Sequence, residues 1–197
     1  MSAGVLHLIV GPSGVGKDTL LDGARELLAP DPRFLFVQRD ITRPADAGGE
    51  DHRAVAEPEF VRRAAAGGYA LCWRAHGLSY GVPVAIDAAL DAGQHVVVNV
   101  SRSIIDAART RYPSLQVISV TAPESVLRSR LRKRGREDEG EIEARIQRAQ
   151  AYQVQGDDVR TVVNDGTTQE GIRALVALLR GGDQDAPKGS DAPQESQ

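Results

Sequence analysis

The sequence predicts an α/β fold built as three layers, in which helices cover both faces of a central, mainly parallel sheet. Short runs rich in valine and isoleucine alternate with longer segments whose apolar residues recur at helical spacing. The run at residues 95–100 is the most apolar of these, as expected for a strand that is buried on both faces of a parallel sheet. Strands and helices that alternate in this way are typical of parallel α/β sheets.

The predicted elements follow this alternation along the chain. The helix that opens at Lys17 carries apolar residues at helical spacing as far as Leu28, and the helix at 57–67 has Pro58 in its first turn, where proline is favoured. The helix at 83–92 stops at Gly93, a typical terminating residue. Strands are predicted at residues 5–10, 34–39, 70–74, 95–100, 115–120 and 159–163, and further helices at 102–111, 123–134, 139–153 and 169–179.

One domain, residues 1–180, contains all of these elements. Residues 181–197 have no apolar side chain larger than that of Ala or Pro, so the sequence predicts a disordered tail. Two stretches fit the sheet less well, residues 40–82 and 134–140. We expect both to be mobile segments around a functional site.

Composition limits the function classes. The net charge of -3 gives no general attraction to nucleic acid or an anionic membrane, and no stretch is long and apolar enough to span a bilayer. The first residues lack the basic and apolar segments of a secretory signal, and the single cysteine, Cys72, excludes an internal disulfide. We therefore expect a soluble cytoplasmic protein with no nucleic-acid or membrane partner.

A glycine-rich motif lies between the first strand and the first helix. Its spacing, Gly11-x4-Gly16-Lys17, matches a P-loop up to the last position. Such a loop turns successive backbone N–H groups toward one phosphate, and the start of the following helix adds its positive end. The alternative, a glycine-rich turn without a ligand, is weak in this strand–loop–helix context. The predicted ATP-binding residues of the loop are Gly11, Pro12, Ser13, Gly14, Val15, Gly16, Lys17, Asp18 and Thr19.

Asp18 departs from the P-loop pattern, because a Ser or Thr that binds Mg²⁺ usually follows the lysine. A carboxylate is also a hard oxygen ligand and can coordinate the metal directly. The alternatives are that Thr19 or water supplies the ligand while Asp18 points away from the site. We favour Asp18 as the Mg²⁺ ligand.

Basic residues crowd the end of the helix at 123–134 and the segment after it. Arg128, Arg132 and Lys133 suit a solvated face near a helix C-terminus. A nucleic-acid patch is disfavoured because no aromatic residues are interleaved with the basic ones. In phosphoryl transfer, arginines on a closing lid stabilise charge on the transferred group. The residues suited to such a lid are Arg130, Arg134, Arg136, Arg145 and Arg148.

Taken together, the motifs of the chain resemble those of guanylate kinases over about residues 5–179. The matching segments, in the same order, are the P-loop, Thr42-Arg43-Pro44 followed by Gly49-Glu50, Tyr80-Gly81, Arg130-Leu131 with Arg134-Gly135, and Val163-Asn164-Asp165. The resemblance implies a P-loop NTPase fold of the guanylate kinase type. It also implies an acceptor-binding flap at about 40–82 and a lid at about 134–140.

The chain departs from guanylate kinases at residues that contact the base. Cys72 stands where that family has a guanine-binding glutamate, and Asn99 replaces an acidic residue that also serves the nucleotide. A site built to hydrogen-bond guanine loses most of its discrimination without such a carboxylate. Arg39 stands where the family has a small hydroxyl residue near the base, and His52 matches a tyrosine that contacts the acceptor phosphate. These changes favour an acceptor with no base and more than one phosphate group.

This pattern, with Gly-Lys-Asp at 16–18 and the run at 98–102, resembles the ribose 1,5-bisphosphate phosphokinases. The resemblance implies Mg²⁺-dependent transfer of the γ-phosphate of ATP to the 1-phosphate of ribose 1,5-bisphosphate, in phosphonate catabolism. The implied catalytic residues are Lys17, Arg134 and Arg145, with Arg130 and Asn164 at the ATP and Arg39, Thr42, Arg43, Glu50, His52 and Tyr80 at the acceptor.

Two other functions remain open at this stage, a guanylate kinase and a non-catalytic guanylate kinase-like binding module. Phosphate oxygens are already anionic at neutral pH, so the predicted transfer needs no general base and we nominate none. A homodimer is compatible with the sequence, which does not set the oligomeric state.

Overall fold

The computed structural model describes residues 4–44, 51–135, 138–151 and 153–181. The strands are β1 (Leu6–Val10), β2 (Phe34–Phe36), β3 (Asp40–Ile41), β4 (Arg53–Ala54), β5 (Tyr69–Ala75), β6 (Leu78–Pro83), β7 (His95–Asn99), β8 (Leu115–Thr121) and β9 (Val159–Val163). The helices are α1 (Lys17–Leu28), α2 (Glu57–Ala65), α3 (Ile86–Asp91), α4 (Ile105–Arg111), α5 (Glu124–Arg134), α6 (Glu139–Ala151) and α7 (Thr168–Leu179), and a 3₁₀ helix (Arg102–Ile104) precedes α4. The predicted disordered tail lies outside the described residues, apart from its first residue.

A parallel sheet in the order β2-β7-β1-β8-β9 forms the centre of the described structure. All five residues of β1 are buried, including His7, as expected for a strand that is covered on both faces of a parallel sheet. Leu6 and Leu8 pack in a core with α3 and α4, whereas Ile9 packs on the other face with α1 and α7. The predicted three-layer α/β fold is confirmed.

A second sheet, in the order β4-β3-β6-β5, occupies the predicted flap. The sequence predicted only one strand there, at 70–74, and placed a helix from residue 83. Residues 78–83 instead form β6, which pairs antiparallel with β5, and the helix begins at Ile86. The strand predicted at 34–39 is also shorter, because the chain leaves the central sheet after Phe36 and enters the second sheet at Asp40. The segment at 40–82 is therefore a small folded sheet with the helix α2, and it contains more strands than the sequence predicted.

Asp40 holds this second sheet together. Its carboxylate is fully buried and accepts hydrogen bonds from Arg53 Nε at 2.6 Å, Arg63 Nη1 at 2.9 Å and the Tyr69 hydroxyl at 2.8 Å. Burial alone would raise the pKa of Asp40, but these donors hold it below its ordinary value. One carboxylate thereby joins β3 to β4, α2 and β5.

Helices α5 and α6 form a hairpin with a small core of its own. Leu127 and Leu131 of α5 pack there against Ile142 and Ile146 of α6. Arg128 pairs with two glutamates of this hairpin and Arg132 pairs with Glu139, as expected for a solvated basic face. Within the described residues, no helix has the length and apolar character needed to cross a membrane.

Candidate functional site

The glycine-rich loop lies at the carboxyl end of β1, where it leads into α1. Gly11, Gly14 and Gly16 all have positive φ angles, of 151°, 86° and 100°. A Cβ atom at Gly11 would lie 2.3 Å from the Val120 carbonyl oxygen, and one at Gly16 would lie 2.6 Å from Asn164 Nδ2. The loop conformation therefore requires glycine at these positions, in agreement with the predicted P-loop.

Lys17 folds back over this loop. Its Nζ donates hydrogen bonds to the carbonyl oxygens of Gly11 at 2.8 Å and Pro12 at 3.0 Å. Burial lowers the pKa of Lys17 to about 8; the nearby Asp18 opposes this effect, and Arg39 and Arg102 add to it. A partly desolvated cation among other cations is a favourable place for the charge of a triphosphate.

Three polar side chains from distant parts of the chain hold the loop. Asn164 is only 4% exposed and its Nδ2 donates to the Val15 carbonyl oxygen at 2.8 Å. Arg130 of α5 donates to the same oxygen at 3.1 Å, and Arg145 of α6 donates to Ser13 Oγ at 2.9 Å. Two of the predicted lid arginines therefore do lie at the P-loop. Asn164, which the resemblance placed at the ATP, is buried and bonded to the backbone of the P-loop.

Arg39 lies against two aromatic rings on the acceptor side. Its guanidinium carbon is 5.7 Å from the centroid of the Trp73 ring and 5.6 Å from that of Tyr80. The two rings are cross-strand neighbours in β5 and β6 and stack with their centroids 5.2 Å apart. Arg39 is 6% exposed, and this burial lowers its pKa to about 10, while Asp18 and Tyr80 act in the opposite direction. The arginine remains cationic at neutral pH.

A cavity of about 600 Å³, called here the cleft, joins the P-loop to this aromatic pair. The loop and α1 contribute one wall, the second sheet contributes the opposite wall, and the end of β7 closes the base. The lining residues are Gly11, Ser13, Gly14, Gly16, Lys17, Asp18, Thr19, Asp22, Arg39, Arg43, Trp73, Ala75, His76, Tyr80, Asn99, Val100 and Ser101. Donor-binding and acceptor-binding residues predicted from the sequence are thereby brought together.

Two predicted acceptor residues lie elsewhere. Thr42 Oγ1 accepts a hydrogen bond from the Ser79 backbone N–H at 2.8 Å, and Thr42 lines a separate cavity of about 630 Å³ that contains no P-loop residue. His52 Nε2 donates to the Arg43 carbonyl oxygen at 3.2 Å and is not a lining residue of the cleft. Both side chains are placed to position the Arg43 segment. Glu50 and the side chain of Arg134 lie outside the described residues.

Asp18 faces the cleft with Thr19, so its carboxylate does not point away from the site. Its Oδ1 accepts a hydrogen bond from Asn99 Nδ2 at 3.2 Å. The described part of the chain holds no group of three or more His, Cys, Asp or Glu residues suited to a metal. A metal bound at Asp18 would therefore take its remaining ligands from the Thr19 hydroxyl, substrate oxygens and water.

Arg102 and His76 are site residues for which sequence reasoning proposed no role. Arg102 follows β7 and lines a cavity of about 390 Å³ together with Gly11 and Pro12. Its position just after a predicted parallel strand could have marked Arg102 as a site residue, since ligands of α/β proteins bind at the carboxyl ends of such strands. His76 lies in the turn between β5 and β6, and that hairpin was not predicted.

A P-loop that faces a cation-lined acceptor wall at the edge of a parallel sheet defines a P-loop kinase. A protein-family model described as an AAA domain matches residues 8–153. The chain is 49% identical over 177 residues to ribose 1,5-bisphosphate phosphokinase PhnN of Acidiphilium cryptum, with 90% of this chain and 93% of the relative covered. The chain belongs to the ribose 1,5-bisphosphate phosphokinase family.

Two further comparisons concern domain content and fold. The chain is 48% identical over 178 residues to a bifunctional ribose 1,5-bisphosphokinase-thymidine phosphorylase of Roseobacter denitrificans, of which it spans only 26%. A guanylate kinase from Anaplasma phagocytophilum has a similar fold, with a TM-score of 0.63 at 22% identity; 94% of this chain and 89% of that chain are covered. The guanylate kinase-like fold predicted from the sequence is confirmed.

Proposed function

We propose that the protein transfers the γ-phosphate of ATP to the 1-phosphate of ribose 1,5-bisphosphate, producing 5-phosphoribosyl 1-diphosphate and ADP. The observation that carries this proposal is Arg39, a buried cation on the stacked Trp73 and Tyr80 rings opposite the P-loop. Relatives that are nearly half identical and named for ribose 1,5-bisphosphate support the same acceptor.

The acceptor wall of the cleft suits phosphate better than a base. Its described lining residues are Arg39, Arg43, Trp73, Ala75, His76 and Tyr80, among which there is no carboxylate. Guanine recognition through its ring N–H groups needs an acceptor such as a carboxylate, and Cys72 is an exposed thiol. A guanidinium, by contrast, forms paired hydrogen bonds with phosphate oxygens. Guanylate kinase activity is therefore the weaker alternative.

The transfer itself requires positioning and neutralisation of charge. An anionic oxygen of the acceptor 1-phosphate attacks the γ-phosphorus, the bond from that phosphorus to the bridging oxygen breaks, and ADP carries away the electron pair. No proton has to be removed from the nucleophile, because the second pKa of a phosphate monoester is about 6. In this proposal Lys17 and Arg145, which contact the P-loop, bind the donor phosphates, while Arg39 and Arg43, which line the cleft, hold the acceptor phosphate in line.

The residues at the start of α1 fit Mg²⁺. Asp18 and Thr19 present a carboxylate and a hydroxyl to the cleft beside Lys17, and these hard oxygens are the ligand type that Mg²⁺ prefers. When bound, the metal would neutralise charge on the β- and γ-phosphates. The amide of Asn99 orients the Asp18 carboxylate through their hydrogen bond.

A two-acceptor assay tests the proposal. Purified protein with ATP and Mg²⁺ is offered ribose 1,5-bisphosphate or GMP, and ADP release is followed together with the identity of the product. We expect kcat/KM for ribose 1,5-bisphosphate to exceed that for GMP by about 100-fold or more, because the wall lacks groups that pair with a base. Preferential phosphorylation of GMP would overturn the proposal, and transfer to neither acceptor would favour a binding module. Three features stay predictions: a role in phosphonate catabolism, a cytoplasmic location, and assembly as a homodimer.

A further inference from the structure

In the turn between β5 and β6, the backbone of His76 adopts a conformation that is uncommon for a residue other than glycine. Ala75 pairs with Leu78, so His76 and Gly77 form a two-residue turn, and both have positive φ angles, of 52° and 75°. Such a turn favours Gly, Asn or Asp, because positive φ angles are uncommon for residues other than glycine; histidine is one of the few others that adopt them more often than average. Residues kept in such conformations tend to lie at functional sites, where another requirement selects the side chain.

The surroundings of His76 give the turn no structural reason to keep a histidine. The side chain is exposed, and it forms no hydrogen bond, ion pair or ring contact with any other residue in the described part of the chain. Its neighbour Gly77 has open space around it as well. The imidazole therefore contributes nothing visible to the stability of the hairpin.

His76 lines the cleft, as do Lys17 and Arg39. Trp73 and Ala75 are two residues apart in β5 and line the same wall, as the alternation of a strand requires. His76 follows them at the tip, about 10 Å from Trp73 at the usual strand rise of about 3.3 Å per residue. The wall thus has Arg39 on the aromatic pair at one end and an imidazole at the other.

We propose that His76 is a specificity-determining residue whose imidazole donates a hydrogen bond to the acceptor phosphate that is not phosphorylated. This inference rests on the proposed function, since it assigns the second phosphate of a bisphosphate acceptor. One phosphate is held at Arg39 and Arg43, in line with the P-loop. The other extends along the hairpin past Trp73 and Tyr80 toward His76, the hydrogen-bond donor at the tip of that wall.

The substitution His76→Gly tests this assignment, because glycine adopts a φ of 52° without strain and the substitution removes the imidazole. We expect the KM for ribose 1,5-bisphosphate to rise about tenfold, as for loss of one hydrogen bond to a charged group, with the KM for ATP unchanged. The thermal midpoint should stay equal or rise, since backbone strain is relieved. Arg74→Gln is the matched control, because Arg74 lies on the same hairpin and pairs with Glu57 outside the cleft.

The outcomes separate this inference from the proposed function. If the wild-type protein does not phosphorylate ribose 1,5-bisphosphate, the proposed function fails and the inference fails with it. If the wild type is active and His76→Gly keeps its acceptor KM, only the inference is overturned. A higher KM for ATP would instead place His76 at the donor, and a lower thermal midpoint would make its role structural; either result also overturns the inference.

Discussion

The guanidinium carbon of Arg39 lies 5.6 Å from the centroid of the Tyr80 ring, and both side chains line the wall opposite the P-loop. Removal of this arginine from water is unfavourable unless an anion compensates, as the lowered pKa of its guanidinium shows. The aromatic pair therefore presents a cation to the acceptor, where a base would need hydrogen-bond acceptors. In the proposed function, Arg39 on this aromatic pair selects the acceptor.

Arg39→Ser should weaken acceptor binding selectively. We expect the KM for ribose 1,5-bisphosphate to rise roughly 10- to 100-fold, the loss typical of hydrogen bonds to a charged group, with little change in the KM for ATP. Steady-state kinetics with each substrate varied in turn provides the measurement. Arg33→Ser is the control, because Arg33 also lies over an aromatic ring, that of Phe34, but outside the cleft. An unchanged acceptor KM for Arg39→Ser would remove its assigned role.

Lys17→Met should abolish transfer without loss of stability. The residue keeps its charge although burial lowers its pKa to about 8, so an apolar side chain of similar length removes an unfavourable charge from the free protein. We expect no measurable ADP release and a thermal midpoint equal to or above that of the wild type. Lys133→Met, on the exposed surface of α5, should keep full activity. A lower midpoint for Lys17→Met would show that its bonds to the loop carbonyls outweigh the cost of burial.

Asn164→Ala should destabilise both the fold and the ATP site. The buried amide donates to the Val15 carbonyl, and loss of that bond leaves a buried acceptor with one donor fewer. We expect the free energy of unfolding in urea to fall by about 1–3 kcal/mol, together with a raised KM for ATP. Asn164→Asp should be worse, because it directs a carboxylate at a carbonyl oxygen. Gln169→Ala, exposed in α7, serves as the control; equal effects of Gln169→Ala and Asn164→Ala would contradict the interpretation.

His7 should make the protein sensitive to acid. Burial in β1 lowers its pKa to about 4, with a raising contribution from the Gln116 hydrogen bond and a lowering one from His95. The unfolded chain protonates near pH 6.5, so this contribution to stability is complete above that pH and declines as the pH falls toward 4. Between pH 7 and pH 4 the loss should be about 3 kcal/mol more for wild type than for His7→Gln. Parallel slopes of unfolding free energy against pH would contradict this.

Sequence periodicity predicted the central sheet well, because its signal is local. The strand at 159–163 and the starts of α1 and α2 agree with the structure, since a run of valines, helical spacing and Pro58 in a first turn are signals that act within a few residues. The second sheet was mostly missed for the same reason. Its β3 and β4 have two residues each, too few to show alternation, and Pro83 was interpreted as a helix start although it ends β6.

The residues of the candidate site also fall into those that the sequence could predict and those that it could not. The P-loop and Arg39 could be found from spacing and from departures within a family, which are properties of the sequence itself. Asn164 was assigned to the ATP from the family resemblance, but its bond to a carbonyl 149 positions away could not be predicted, and neither could His76, whose position depends on a turn conformation. Thr42 shows the opposite error, since a motif residue lies outside the cleft.

The hydrogen bond from Asn164 to Val15 also determines when the P-loop gains its full support as the chain is synthesised. The P-loop leaves the ribosome before the residue that supports it, Asn164, which follows β9 and comes 149 positions after Val15. Because domains fold as the chain emerges, the nascent protein carries its glycine-rich loop unsupported until nearly the whole domain has been made. A truncated product that ends before Asn164 would therefore keep the P-loop sequence but lack one of the hydrogen bonds that hold the loop.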